Sequence, residues 1–357
     1  MDEENEINDI RDKNEFKGIT FSKFKKTDVK KELLNSLYDS KIEPVCYWSG
    51  ELICAGHYSD LWDAIIEFYS RFIHLGNPKL VIYLDLRITK FRELIEGGYA
   101  NQELRLRNNL SFRKLFCEIM CILCDSKKKH SYDEVKVKKE DFDLTQMTER
   151  FKASSTDYAE TVFKKDDPKE LFIPVNELGY NISKDSKNCV SACYWIEWIF
   201  EYETICKNKK EKCSAERRTF ANVEPKLQMD IVWIIWDLFL NESLKRCPLI
   251  KKMVQSTLNL FTLRYTSGCM RKRKLLLYFV VGLFTENLDL NDEMIKDKNK
   301  IPHIVGQINT IYKQIKQNEC SPGMSYLFKN VKSTNLEKTI AKLETMKHFE
   351  NEFIPRL

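Results

Sequence analysis

At 357 residues the chain is long enough for about two domains of roughly 100–200 residues each, which excludes a peptide or a disulfide-stapled miniprotein. It carries 21 Phe, 15 Tyr and 6 Trp but only 11 Gly and 9 Pro, too little turn punctuation for a many-turned barrel or sandwich or for a glycine-rich nucleotide fold. Lys and Arg outnumber Asp and Glu by 58 to 53, and a net charge of +5 is too small an excess for a protein that coats nucleic acid.

The first 15 residues hold Asp2, Glu3, Glu4, Glu6, Asp9, Asp12 and Glu15 against only Arg11 and Lys13, so residues 1–27 are expected to be an acidic, disordered tail. No charged n-region with an apolar core opens the chain, and an intracellular, reducing location is expected. The twelve cysteines then read as free thiols. The longest apolar run, Leu275 to Phe284, is far short of the ~20 residues that cross a bilayer, and no membrane span is expected.

Helical periodicity begins at Lys30, where Leu33, Leu34 and Leu37 recur on one face. It predicts helices near 44–56, 59–75, 78–97 and 109–125, the first opening at Pro44 and the others separated by Gly56, by Gly76-Asn77-Pro78 and by Gly97-Gly98. From Ser126 to Ser186 the periodicity collapses, so 126–186 is expected to be a linker with short structure of its own. Phe142, Met147, Phe151, Tyr158, Phe163 and Leu171 would anchor it to the helical body. Periodicity resumes over 188–206, 227–246, 248–266, 270–286 and 301–318, with a last helix near 335–347.

Four anchors recur in order along the two sets. Cys46-Tyr47-Trp48 matches Cys193-Tyr194-Trp195, Leu61-Trp62-Asp63 matches Ile235-Trp236-Asp237, Pro78 matches Pro248, and Phe112-Arg113-Lys114-Leu115 matches Lys272-Arg273-Lys274-Leu275. The expected fold is therefore all-α, with two related four-helix units in tandem at 28–125 and 187–320, as a bundle or an α-solenoid.

Catalytic and metal motifs are scarce. Cys117, Cys121 and Cys124 ride one helix among Phe116, Ile119, Met120, Ile122 and Leu123, and are expected to pack as small apolar residues rather than bind zinc. Cys206 and Cys213, flanked by lysines, are the better reactive pair, but no His completes a site. The histidines are scattered, and no phosphate loop, dinucleotide fingerprint or nucleophile elbow occurs. Asp63 with Glu67, and Glu197 with Glu201, fall one helical turn apart but lack the Glu-x-x-His partners of a di-metal bundle. The aromatics Tyr194, Trp195, Trp198, Tyr202, Trp233, Trp236 and Phe239 recur at helical spacing, which reads mainly as core. No catalytic residue, metal or cofactor is expected.

The most suggestive motif is basic. Arg105 and Arg107 run into Arg113 and Lys114 before one helix, and Arg271, Lys272, Arg273 and Lys274 open its counterpart. Cations are unfavourable at a helix N-terminus by about 0.3–1 kcal/mol each, so their placement there twice points to a bound anion or an acidic partner. Near the C-terminus, Thr334-x-x-Glu337 forms a capping box before Leu336, Ile340, Leu343 and Met346, an amphipathic helix expected to dock on the body or on a partner.

The strings Cys46-Tyr-Trp-Ser-Gly-Glu-Leu-Ile-Cys-Ala-Gly56, Gly76-Asn-Pro-Lys-Leu80, Asp167-Pro-Lys-Glu-Leu-Phe-Ile173 and Ala192-Cys-Tyr-Trp-Ile-Glu-Trp198 resemble an uncharacterised protein family of large nucleocytoplasmic DNA viruses, the mimivirus-like giant viruses, over about Leu33 to Leu343. The resemblance brings no catalytic residues; it implies work in a cytoplasmic viral factory or carriage in the virion. The expected function is that of a non-enzymatic binding or scaffold protein with other proteins as partners. The alternative is a nucleic-acid-binding accessory factor of viral replication, transcription or translation.

Overall fold

Helix after helix follows from the periodicity, and apart from one isolated bridge between Ile19 and Lys25 no β-pairing occurs among the described residues. The computed structural model describes residues 5–99, 102–143, 147–291, 293–295 and 299–320. The N-terminal half consists of α1 (Lys26–Tyr38), α2 (Ile42–Cys54), α3 (Tyr58–Phe68), α4 (Leu80–Glu96) and α5 (Leu110–Asp125). A single turn, α6 (Asp157–Glu160), interrupts the connecting segment. The C-terminal half holds α7 (Phe172–Ile182), α8 (Cys189–Lys209), α9 (Val232–Ser243), α10 (Pro248–Thr262), the one-turn α11 (Cys269–Lys272) and α12 (Lys274–Thr285). Last come α13 (Lys300–Gly306) and α14 (Ile308–Lys316). None of the described helices is long and apolar enough to cross a membrane.

Local chemistry sets several of the helix starts. Asn109 accepts a hydrogen bond from the Phe112 amide at 3.1 Å, and Asn188 from the Ser191 amide at 3.0 Å, each satisfying one of the free N–H groups that every helix start exposes. Pro248 occupies the first position of α10, where its missing N–H costs nothing. The helix read over 59–75 changes pitch, with α3 passing into a π turn at Tyr69–Ile73.

Within the N-terminal half α1 packs on α2, α3 and α5, α2 on α5, and α4 on α5. Within the C-terminal half α7 packs on α8, α9 and α12, α8 on α12, and α10 on α12. The halves meet where α4 lies against α10, and there the Asp85 carboxylate accepts hydrogen bonds from Ser256 Oγ at 2.9 Å and Asn259 Nδ2 at 3.0 Å. Gly282 allows the 3-10 turn at His74–Gly76 and α12 to close up, since a Cβ there would lie 2.8 Å from Leu75 Cδ1.

Three expectations are corrected. The acidic stretch over 1–27 is not a free tail from residue 5 onward. Ile7, Phe16 and Phe21 are buried, and the Arg11 guanidinium sits 4.8 Å from the centre of each of the rings of Phe16 and Phe21 while pairing with Asp9 at 2.6 Å. Composition marks the segment as solvated because Glu6, Asp12 and Glu15 do face water, yet a few widely spaced apolar side chains suffice to pin it. The 301–318 segment is two helices, α13 and α14, and it belongs to the other half from the one expected: α13 packs on α5 and α14 on α2. Gly50 makes room, since a Cβ there would lie 2.6 Å from Ile315 Cδ1. Finally, the linker ends earlier than expected, because α7 is almost wholly buried against α8 and α9.

The rest of the connecting segment starts on the N-terminal half, where the His130 carbonyl accepts from His74 Nε2 at 2.9 Å, and then reaches the C-terminal half. Phe142 stacks on Trp198 with ring centres 4.6 Å apart, and the Trp198 indole donates to the Asp141 carbonyl at 3.0 Å.

Candidate functional site

The eight basic residues singled out from the sequence divide by burial. Arg107, Arg113 and Arg273 are only 6%, 3% and 5% exposed, while Arg105, Lys114, Arg271 and Lys272 reach solvent and Lys274 is half-buried. The buried guanidiniums are occupied by the protein itself. Arg107 donates to the carbonyl of Cys54 at 3.3 Å and of Asp9 at 3.1 Å. Arg113 donates to the carbonyls of Arg107 and Asn5 at 2.6 and 3.0 Å and lies 4.0 Å over the Tyr312 ring. Arg273 donates to the carbonyls of Phe261 and Leu263 at 2.8 and 2.6 Å and to Asp63 at 2.9 Å.

This corrects the expectation of an anion at these three positions, and the reason is electrostatic. Cys54 is the last residue of α2, and Phe261 and Leu263 flank the end of α10, so Arg107 and Arg273 sit on the negative ends of preceding helices, whose last carbonyls lack partners within the helix. Arg246 repeats the device by donating to the carbonyl of Ile182, the last residue of α7, at 2.8 Å. A cation that is unfavourable beside its own helix start is favourable at the end of another helix packed against it.

The remaining basic residues of the second cluster open on a groove of about 900 Å³ where the two halves and the connecting segment meet. One wall is α3 and the π turn, with Asp60, Asp63, Glu67 and Arg71; the other is α11 and α12, with Arg271, Lys272, Arg273, Lys274 and Tyr278; Ser131 to Glu134 close one side. Charges of both signs line it, and most of its cations are paired, some with acids of α8 behind the wall. Arg273 pairs with Asp63, Lys30 with Glu67 at 3.0 Å, Lys274 with Glu197 at 2.8 Å, and Arg271 approaches Glu201 at 3.7 Å. Arg271 also donates to the Phe200 carbonyl at 2.5 Å and to Thr204 Oγ1. The carboxylate pairs read from the sequence are thus separated into individual ion pairs, and Glu197 further accepts the Tyr278 hydroxyl at 2.6 Å. Arg105 lies apart, on the rim of a hollow of about 760 Å³ lined also by Tyr99, Asn108 and Asn109.

Among the thiols, Cys117, Cys121 and Cys124 are buried as expected, but Cys46 of α2 joins the first two, a convergence that no spacing in the sequence announces. Cys206 is buried, and burial together with its neighbour Cys206 pushes the Cys213 thiol up to about 12, the reverse of a reactive thiolate. The groove carboxylates Asp60, Asp133 and Glu134 were not singled out from the sequence, where they resemble any exposed acid. Leu336, Ile340, Leu343 and Met346 lie outside the described residues. No family model, curated protein or solved structure matches the chain.

Proposed function

We propose that the chain is a non-enzymatic scaffold that takes a protein segment of mixed charge into the groove between its halves. The supporting observation is the mixture of charge there: carboxylates and cations line the groove together, and each of Arg273, Lys274 and Lys30 is paired with a carboxylate within 3.0 Å, so the groove offers no continuous positive track for a phosphate backbone but does offer donors and acceptors for both signs of side chain. Protein partners are favoured over nucleic acid on that ground. The resemblance to giant-virus proteins would set this scaffold in a viral factory or a virion.

The two halves are, on the same footing, related units. Their supporting features are the shared packing scheme of α1, α2, α4 and α5 with α7, α8, α10 and α12, the buried Trp62 and Trp236 whose indole N–H groups both lack a partner, and the equivalent placement of Arg113 and Arg273 against carbonyls.

Charge reversal at exposed groove positions tests the function. Lys272→Glu and Glu134→Lys should each reduce recovery of a protein partner from nuclease-treated extract, and that recovery should fall moderately as salt screens the charges. If Lys272→Glu abolishes and Glu134→Lys strengthens binding, with a steep log–log salt slope that nuclease removes, the chain is instead a nucleic-acid-binding factor.

A further inference from the structure

The cysteines of the N-terminal half hold a feature that neither the groove nor the scaffold function uses. The sulfurs of Cys46, on α2, and of Cys117 and Cys121, one turn apart on α5, all lie within 4.8 Å of one another, and Cys46 Sγ stands 3.8 Å from Cys117 Sγ. The residues are 3%, 1% and 1% exposed. A metal about 2.3 Å from each sulfur holds them about 3.8 Å apart in a tetrahedral site and about 4.0 Å apart in a planar three-sulfur site, so one edge already has the required length and the others need only small side-chain rotations.

From this convergence we propose that Cys46, Cys117 and Cys121 form a three-sulfur site for a soft monovalent d10 cation, copper(I). Three observations select the ion. The ligands are all sulfur, which favours copper(I) and zinc over harder cations. Among the described residues no fourth Cys, His, Asp or Glu joins the group, and zinc in a structural site completes four. Burial leaves no approach for the water that fills the fourth position of an open zinc site, whereas copper(I) accepts three ligands.

Proton release accompanies binding, because thiolates are the ligands, and each sulfur that becomes anionic gives its proton to solvent. Because the ion would join α2 to α5, which also support α14 and α13, its natural role is to brace the N-terminal half.

The test uses the full reduced chain under anaerobic conditions, titrated with copper(I) supplied as a bicinchoninate complex and, separately, with zinc. The expected result is stoichiometric withdrawal of copper(I) from the chelator, three sulfur neighbours by X-ray absorption, and a raised melting temperature. Copper content should fall to background in Cys46→Ala, Cys117→Ala and Cys121→Ala and persist in Cys54→Ala and Cys124→Ala, which remove buried thiols outside the cluster. The sulfur count on the unmodified chain serves even if a cluster variant fails to fold. The proposal is overturned if copper stays on the chelator, if the cluster variants retain it, or if zinc binds in preference with four ligands.

Discussion

Arg218 and Asp167 meet through two parallel hydrogen bonds, of 2.5 and 2.6 Å, with neither side chain exposed to solvent. The fork joins the connecting segment to the loop before α9. Asp167 also accepts the amides of Lys164 and Glu216 at 2.8 Å, and Arg218 donates to the Val162 carbonyl at 3.0 Å and to Asp237 at 3.3 Å. A buried charge pair is worth little against an apolar replacement of both partners, but removing one partner strands the other. Arg218→Ala should therefore cost about 3–5 kcal/mol in urea unfolding, and Arg218→Lys should recover little of it, because an ammonium cannot reproduce the planar fork. A cost below about 1 kcal/mol would mean that the segment is not held here.

Docking of the N-terminal segment should depend on acid. Burial pushes the Asp9 carboxyl up, but hydrogen bonds from Arg11 and from the amides of Cys320 and Arg11 outweigh it and leave the group below its ordinary 3.8. A depressed carboxylate contributes stability that is fully present above the unfolded value and is lost as pH falls through the folded one. Amide exchange at Cys320, whose N–H donates to Asp9 at 2.8 Å, should accelerate relative to the core below about pH 4. In Asp9→Asn it should be fast at neutral pH already.

Close approach of helices makes two glycines unequal. A Cβ on Gly179 would stand 2.6 Å from Tyr158 Cβ, an atom fixed to the backbone of α6, whereas one on Gly50 would meet the tip of Ile315 at the same 2.6 Å. Gly179→Ala should destabilise by about 1–3 kcal/mol, and Gly50→Ala by less, since the Ile315 methyl can rotate aside. Equal melting temperatures for the two variants would contradict this.

His74 should make stability fall on mild acidification. Its ring is buried, lies 4.5 Å from the Tyr132 ring, and donates from Nε2 to the His130 carbonyl at 2.9 Å, leaving Nδ1 buried without a partner. Burial lowers its pKa below the ordinary 6.5. The unfolded chain then binds the proton first, so the stability associated with the neutral ring is complete above about pH 6.5 and declines below it. Unfolding free energy should drop between about pH 7 and pH 5, and His74→Phe, which keeps the aromatic contact, should flatten that slope.

Local pattern alone identified the helices whose signal is local. The helix starts read at 109, 188 and Pro248 and the stripe of Trp195, Trp198, Trp233 and Trp236 all depend on neighbours within a turn or two, and each lies where that spacing puts it. What the tertiary structure decided is which distant groups those elements face. Nothing near Arg107, Arg113 or Arg273 in the sequence reveals that helix-end or loop carbonyls occupy them, because a guanidinium reaches several ångströms and its partner is set by packing. Nor does any spacing bring Cys46 to Cys117, 71 residues away, or return α14 to α2. Periodicity records which face of a helix is apolar; the surface that covers it is chosen only when the whole chain closes, since burying apolar area is non-directional and many pairings satisfy it locally.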